Sequence, residues 1–456
     1  MSRLAESDSL VSSRVRCLFR GMPGVVCAAA ILVSGCARYK PLPLPAAPDL
    51  AANPVVTAPA SRFWPAGVKP HPFPPNGLDE TSVITLAVFA NPDLKAARLQ
   101  AGVASAQLLQ AGLLPDPVFN GGYATSTLQY GYSLGLSEDI QALITRGAAR
   151  AGAAAHQKQV DLEILWQEWQ VAEKARELFI QERANEQLEQ VMTRTRDLFA
   201  ERYEVDKKAL EKGNVTLSTL SSDVALLTNA QTSLRQVDTQ ANLTRHQLNA
   251  LLGIQPEVRL PLIGPSESGQ ISENQFQAAV GQLEHTRVDL LALQAGYASQ
   301  EQSVRESILA QFPSMSAGVE QGRDPIEGID YIGPNVSLTL PLFNRNRGKI
   351  AEQRATRALM QQTYQARLDQ AVGDANQVWS EIAIMQRQMK ELHAALPLLQ
   401  NSATAMEKSF REGNTDASLY VGAESSLLTN QANAIRLRAS IENAQSALRT
   451  LLGLPF

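Results

Sequence analysis

The feature that most constrains this chain is a repeat. Lys212-Gly213-Asn214 is answered by Glu412-Gly413-Asn414, and Leu251-Leu252-Gly253 by Leu451-Leu452-Gly453, each pair 200 residues apart. Further up the chain, Asn91-Pro92-Asp93-Leu94 is echoed by Arg287-Val288-Asp289-Leu290, and Leu113-Leu114-Pro115 by Gln311-Phe312-Pro313. One unit of about 200 residues is used twice. Each copy reads as helix, two strands, long helix, turn and helix.

The long helix of the first copy spans about 142–211. It contains no proline, and its apolar residues recur at helical spacing: Val160, Ile164, Val171, Leu178, Leu188, Val191 and Leu198. At about 1.5 Å per residue it extends on the order of 100 Å. Lys212-Gly213-Asn214 breaks it, with glycine where a positive φ is needed and Asn214, like Asn414, as a turn former. Thr216 or Ser218 can cap the next helix. Aromatics make up 5% of the chain, low for a compact core of this length. The surplus of Ala, Leu, Gln, Glu and Arg is that of long helices instead.

The strands are short and alternate. Val336, Leu338 and Leu340 interleave with Asn335, Ser337 and Thr339, giving one apolar and one polar face. Pro341 stops the ladder because it has no N–H to donate. Asn344, Asn346 and Gly348 then redirect the chain into helix. In the first copy Tyr132, Leu134 and Leu136 oppose Gly131, Ser133 and Gly135. Phe119, Gly121 and Tyr123 share a face of the preceding strand, in a hairpin expected to turn near Ser126-Thr127.

The N-terminus is an export signal. Arg14, Arg16 and Arg20 precede the apolar run from Val25 to Val33, which is too short to span a membrane permanently. The run ends Val33-Ser34-Gly35-Cys36, which resembles the lipobox of bacterial lipoproteins, in which the cysteine thiol receives diacylglycerol. A secretory signal with an incidental cysteine is the alternative. The expected organisation is a signal peptide at 1–35 and a Pro/Ala-rich tether at 36–78. The first repeat follows at 79–253 with strands at about 117–137. A connecting segment occupies 254–284, and the second repeat 285–456 has strands at about 314–341. No later segment is apolar enough for a transmembrane helix, so any membrane crossing must use strands.

Two strands per repeat give four per chain. Four strands cannot close around a lumen, and open edges are not tolerated in lipid. Several chains must contribute, and three copies would supply twelve strands, an even number usual for outer-membrane barrels. Polar faces would line water and apolar faces would meet lipid. The helices, too polar for lipid and too long for a globule, would continue the barrel as a tube.

These features together resemble the TolC-type outer-membrane efflux proteins. The resemblance rests on the lipobox, the Asn-Pro-Asp-Leu start, the two-fold repeat, Leu340-Pro341-Leu342-Phe343-Asn344-Arg345-Asn346-Arg347-Gly348, the two Gly-Asn turns and the two Leu-Leu-Gly endings. It implies a mainly α protein with a membrane β-barrel: a homotrimer with a twelve-stranded barrel continuing into a long periplasmic α-helical barrel. It implies no enzymatic activity and no cofactor. The implied partners are a periplasmic adaptor (membrane fusion) protein, an RND-type inner-membrane pump and outer-membrane lipid, with lipidation at Cys36. The tip turns at Gly213, Asn214, Gly413 and Asn414 would close the periplasmic end and meet the adaptor. Many relatives carry aspartates just beyond the tip glycines. Here those positions are Thr219, Ser222, Leu419 and Gly422, so that acidic ring is not carried over. Asp223, Asp416, Tyr420 and Glu424 are the nearby candidates for a gate. Residues 340–348 resemble the subgroup paired with heavy-metal cation pumps, although drug-exporting relatives carry similar Pro-Leu-Phe motifs.

Other chemistry lacks support. The formal charge of −4 gives no basic footprint for nucleic acid. His71, His156, His246, His285 and His393 are scattered, with no pair at metal-ligating spacing. No phosphate loop or nucleophile elbow is present. Trp166 and Trp169 read as packing residues. Two other functions use related parts: a type I secretion duct, which shares the fold, and a periplasmic coiled-coil adaptor or scaffold lipoprotein, which would carry one helical hairpin between β-rich modules.

Overall fold

The computed structural model describes residues 39–52, 74, 76–125, 130–266 and 269–454. Cys36 and the hairpin turn at Ser126-Thr127 lie outside these residues. Residues 39–49 belong to a separate unit, carry no helix or strand, and are exposed. The rest of the described chain runs α1 (Glu80–Ala90), α2 (Pro92–Gly112), β1 (Val118–Thr125), β2 (Tyr130–Asp139), α3 (Ile140–Glu211) and α4 (Leu217–Leu251). Two short helices follow, α5 (Glu273–Val280) and α6 (Leu283–Thr286). Then come α7 (Val288–Leu309), β3 (Ser314–Arg323), β4 (Asp330–Thr339), α8 (Arg347–Arg411) and α9 (Ala417–Leu451). The two repeats are thus visible element by element.

Helix α3 has 72 residues and is the spine. Its buried stripe includes Ile164, Leu178, Leu188, Val191 and Phe199, the helical spacing seen in the sequence. It packs on α1, α2 and α4 of its own repeat and on α7 and α9 of the other. No helix this polar forms such a length on propensity alone; packing along the apolar stripe sustains it. Each repeat has its own core where its helices converge. In the first, Val83, Leu178, Phe179, Leu248 and Leu252 cluster; in the second, Phe276, Leu290, Ala371, Leu448 and Leu452 do so. Phe276 stacks on Trp379 at 4.6 Å between ring centroids. Below the cores, Leu188, Val191, Val237 and Leu428 join the two helical hairpins.

Polar contacts lock the repeats together. Ser446 and Thr450 on α9 donate to Glu173 on α3 at 2.6 and 3.0 Å. Arg176 reaches both Glu80 and Ser446. Within the second repeat, Asp289 accepts from Arg287 and from Arg367, each at 2.8 Å.

The repeat landmarks are one piece of backbone chemistry used four times. Gly213, Gly253, Gly413 and Gly453 all have φ between 62 and 75°. At each, the residue after the glycine donates back five residues, as Asn214 does to Ala209 at 2.9 Å and Asn414 to Ser409 at 2.9 Å. This is the Schellman termination, and it selects glycine because a side chain disfavours left-handed backbone.

The connecting segment contains a helix that the sequence reading leaves unmarked. Ser272 and Gln275 form a reciprocal capping box that opens α5. The N-terminal tether docks here at two points. Ala51 donates to Gly253 and accepts from Gln255, both at 3.0 Å, and Leu78 does the same with Pro261 and Ile263 at 2.7 and 3.0 Å.

Candidate functional site

The four strands form one antiparallel sheet in the order β1-β2-β3-β4. The register decides its faces. Phe119 pairs with Leu136, Leu136 with Val319 and Val319 with Pro334, so these side chains share a face. The next rows on it are Gly121-Leu134-Gln321-Ile332 and Met315-Leu338. Phe119, Leu136, Ile332, Val336 and Leu338 are all exposed in the single chain, a band of apolar surface that no element covers. The opposite face carries Asn120, Ser133, Ser137, Glu320, Asn335 and Ser337 and lines an open cradle. Asn335 donates to Glu320 at 2.7 Å across this face. The strands have eight to ten residues, close to the roughly 9–11 that a tilted strand needs to cross a bilayer. Among the described residues, no helix is long and apolar enough to cross a membrane. The outer edges of β1 and β4 have no strand partner in the described chain.

The two strand-to-helix passages differ. Asp139 ends β2 and caps α3 directly, accepting from Gln141 and Ala142 at 2.9 and 3.1 Å. After β4 the chain makes an elbow over residues 340–346. Arg345 and Asn346 both have positive φ, 45 and 52°. Asn346 donates to the Ser307 carbonyl at 2.8 Å, tying the elbow to the end of α7. Pro341 stands past the last ladder residue, Thr339, in keeping with its missing N–H. Gly348 does not redirect the chain. It sits in the first turn of α8 with helical φ, and space is open around it.

At the opposite end, the tip turns carry the other candidate residues. Thr216 caps α4 and Asp416 caps α9, so Asp416 is occupied by the Ser418 amide at 3.0 Å. Asp223 is buried inside the chain, 1% exposed, against Arg202 at 2.6 Å. Burial first, and then the neighbouring Asp206 carboxyl, push its pKa up to about 6 against the pull of Arg202. Tyr420 stacks on Phe410 at 5.5 Å between centroids, closing α8 onto α9. Burial and the carboxylates of Glu424, Glu407 and Glu201 raise its phenol. Glu424 is itself held above the usual carboxylate range by burial and by Glu407, with Arg194 opposing. The fold therefore gathers Tyr420 and Glu424 at one place and gives Asp223 and Asp416 intrachain partners. The Asp206-Arg202-Asp223 group was not legible beforehand, because Arg202 and Asp223 sit on different helices.

Among the described residues no three His, Cys, Asp or Glu side chains converge as a metal site.

Residues 270–454 match the family model described as outer membrane efflux protein. No curated protein matches the chain by sequence. Solved structures match its fold. VceC, an outer membrane protein from Vibrio cholerae, is 17% identical with a TM-score of 0.68, covering 83% of this chain and 96% of its own. The CmeC outer membrane channel of Campylobacter jejuni is 15% identical at a TM-score of 0.67, covering 92% and 95%. CusC, whose structures describe transmembrane channel formation, is 16% identical at 0.66, covering 83% and 94%. The family match falls on the second repeat, and the fold similarity to these solved structures runs through both repeats. The fold is the one these outer-membrane channels share.

Proposed function

We propose that three copies of this chain form a channel-tunnel that carries solutes, metal cations or drugs, out of the cell from an RND-type inner-membrane pump and its periplasmic adaptor. The observation that carries this reading is the sheet: one polar face, one uncovered apolar face and two unpartnered edges. An edge left open in lipid costs several kcal/mol for each unpaired backbone group. Pairing β4 of one copy with β1 of the next removes every edge and yields a twelve-stranded barrel with the Ser133–Asn335 face toward water. The long helices then continue the lumen into the periplasm. Cys36 carries the lipid that anchors the tether at the outer membrane. The tip turns at Gly213-Asn214 and Gly413-Asn414 meet the adaptor, and the Tyr420-Glu424 region narrows the exit between them.

The test is transport. In a strain whose pump has this protein as its sole outer-membrane component, deleting the protein should raise cellular accumulation of a metal cation or a drug, and restoring it should reverse the rise. Unchanged accumulation of both classes, with the pump and adaptor present, contradicts the reading.

A further inference from the structure

Each repeat carries a crevice at the same place, and only one of the two is charged. A shift of 200 residues sets Ala175, Leu248 and Leu252 on Ala375, Leu448 and Leu452, all buried in the cores of their repeats. Beside the second core lies a crevice of about 110 Å³ whose walls include Ile382, Gln386 and Gln445. The same shift sets these on Glu182, Glu186 and Arg245, which line a cavity of about 490 Å³ beside the first core. The fold therefore accepts neutral side chains here, and the acidic lining of the first repeat is not a requirement of the helices that carry it.

The charged cavity opens between α3, α4 and the connecting segment. Glu182, Glu186 and Glu189 follow one another at i, i+4 and i+7 on one face of α3, and Asp238 lines the cavity from α4. Glu189 and Asp238 are exposed. Glu182 is half-buried, and its Oε2 is shut off from solvent with no hydrogen-bond partner. Burial first, and then the Glu186 carboxylate, push its pKa up to about 7 against the pull of Arg245. Two guanidiniums, Arg245 and Arg259, share the lining with the four carboxylates, which leaves an excess of negative charge. Glu186 is engaged by Arg183, and Arg245 by Asn242, each at 2.5 Å.

Asn249 points the same way independently of charge. It is 1% exposed and lines the same cavity. Its Nδ2 donates to the carbonyls of Gln255, Pro256 and Val258 at 3.2, 3.2 and 2.8 Å, which fixes the amide and leaves Oδ1 a buried acceptor with no partner. Two residues of the lining, Glu182 and Asn249, thus each hold a buried acceptor without a donor, a costly state that a ligand bearing N–H groups relieves. Arg245 Nε is also unpartnered, so a bound cation would follow the carboxylate row of α3 rather than that turn of α4.

The lining selects an elongated cation. Among the described residues, no three acidic side chains converge as a site for one metal ion. The three glutamates instead form a row, rising about 6 and then about 4.5 Å along the helix axis, the interval at which nitrogens separated by three or four methylenes repeat. The wall also offers Leu260 and Leu262 to such methylenes. We propose that the cavity of the first repeat binds a linear polyamine, with its ammonium groups along Glu182, Glu186 and Glu189 and its methylenes against Leu260 and Leu262.

The test is equilibrium binding of spermidine to the full-length protein extracted in mild detergent. Saturable binding of one spermidine per chain is expected. Glu182→Gln/Glu186→Gln should weaken it at least tenfold, while Glu381→Gln, an exposed carboxylate on α8, should leave it unchanged. Magnesium chloride at equal ionic strength should not displace the polyamine. Unsaturable binding, displacement by magnesium at equal ionic strength, or an unchanged affinity in the double variant overturns the proposal. If the double variant is not recovered folded, Glu189→Gln decides, because that side chain is exposed: about threefold weaker binding is expected, and unchanged binding contradicts the site. The readout is binding and not transport, so failure of this site and failure of the channel reading are told apart.

Discussion

The two repeats share a topology, yet they turn from strand to helix by different means. In the first, one residue does both jobs: Asp139 ends β2 and its carboxylate caps α3. In the second, residues 340–346 intervene, with Pro341 stopping the ladder, two left-handed residues turning the chain and Asn346 fastened to Ser307. The elbow leaves Leu340, Leu342 and Phe343 exposed, Phe343 by 87%. A duplicated unit therefore preserves which face each strand presents and which helix it feeds, while the chemistry of the junction is free to drift.

The comparison can be broken at several strengths. The largest effect is expected where the repeats agree, on the apolar face. Leu136→Arg and Leu338→Arg should each cost about 2–4 kcal/mol at mid-bilayer and reduce the assembled protein recovered from outer membranes. If either variant assembles normally, that strand face does not meet lipid. Next come the junctions, where the repeats disagree. Asn346→Val should destabilise by about 2–3 kcal/mol, combining the left-handed penalty of a branched side chain with the lost bond to Ser307. Asp139→Ala should cost only about 1 kcal/mol, the value of one helix cap. Thermal unfolding of the detergent-solubilised protein ranks the two, and a larger loss at Asp139 would reverse the assignment of roles.

The smallest effect lies at the tip. Asp223 has a folded pKa raised above the ordinary carboxylate value. The folded tip thus holds this proton more tightly than the unfolded chain does. The resulting stabilisation is complete below the ordinary value and is lost as pH rises through about 6. The protein should therefore lose Tm between pH 5 and pH 7.5, and Asp223→Asn should lose less. An equal loss in both would show that this carboxyl does not set the pH response. The first repeat holds this buried group, whereas the equivalent stretch of the second relies on the Phe410-Tyr420 stack.

Much of the architecture was legible in the sequence because it is written in local chemistry. Gly213, Gly253, Gly413 and Gly453 announce helix ends since few other residues accept their backbone. The alternation at 335–340 announces a two-faced strand. What stayed hidden depends on distant partners. The sequence gives no sign that Arg202 will face Asp223, and Asp223 therefore reads as a candidate for a gate. Asp416 read likewise until its role as a cap was visible. Gly348 looked like a turn residue because it follows two asparagines, but the left-handed positions are Arg345 and Asn346.

The central claim is that one chain is an incomplete channel. Native mass measurement of the protein extracted from outer membranes in mild detergent tests it most directly. The account predicts a species of three chains that falls to one only on denaturation. A stable single chain that stays soluble in water once lipid and detergent are removed would contradict it.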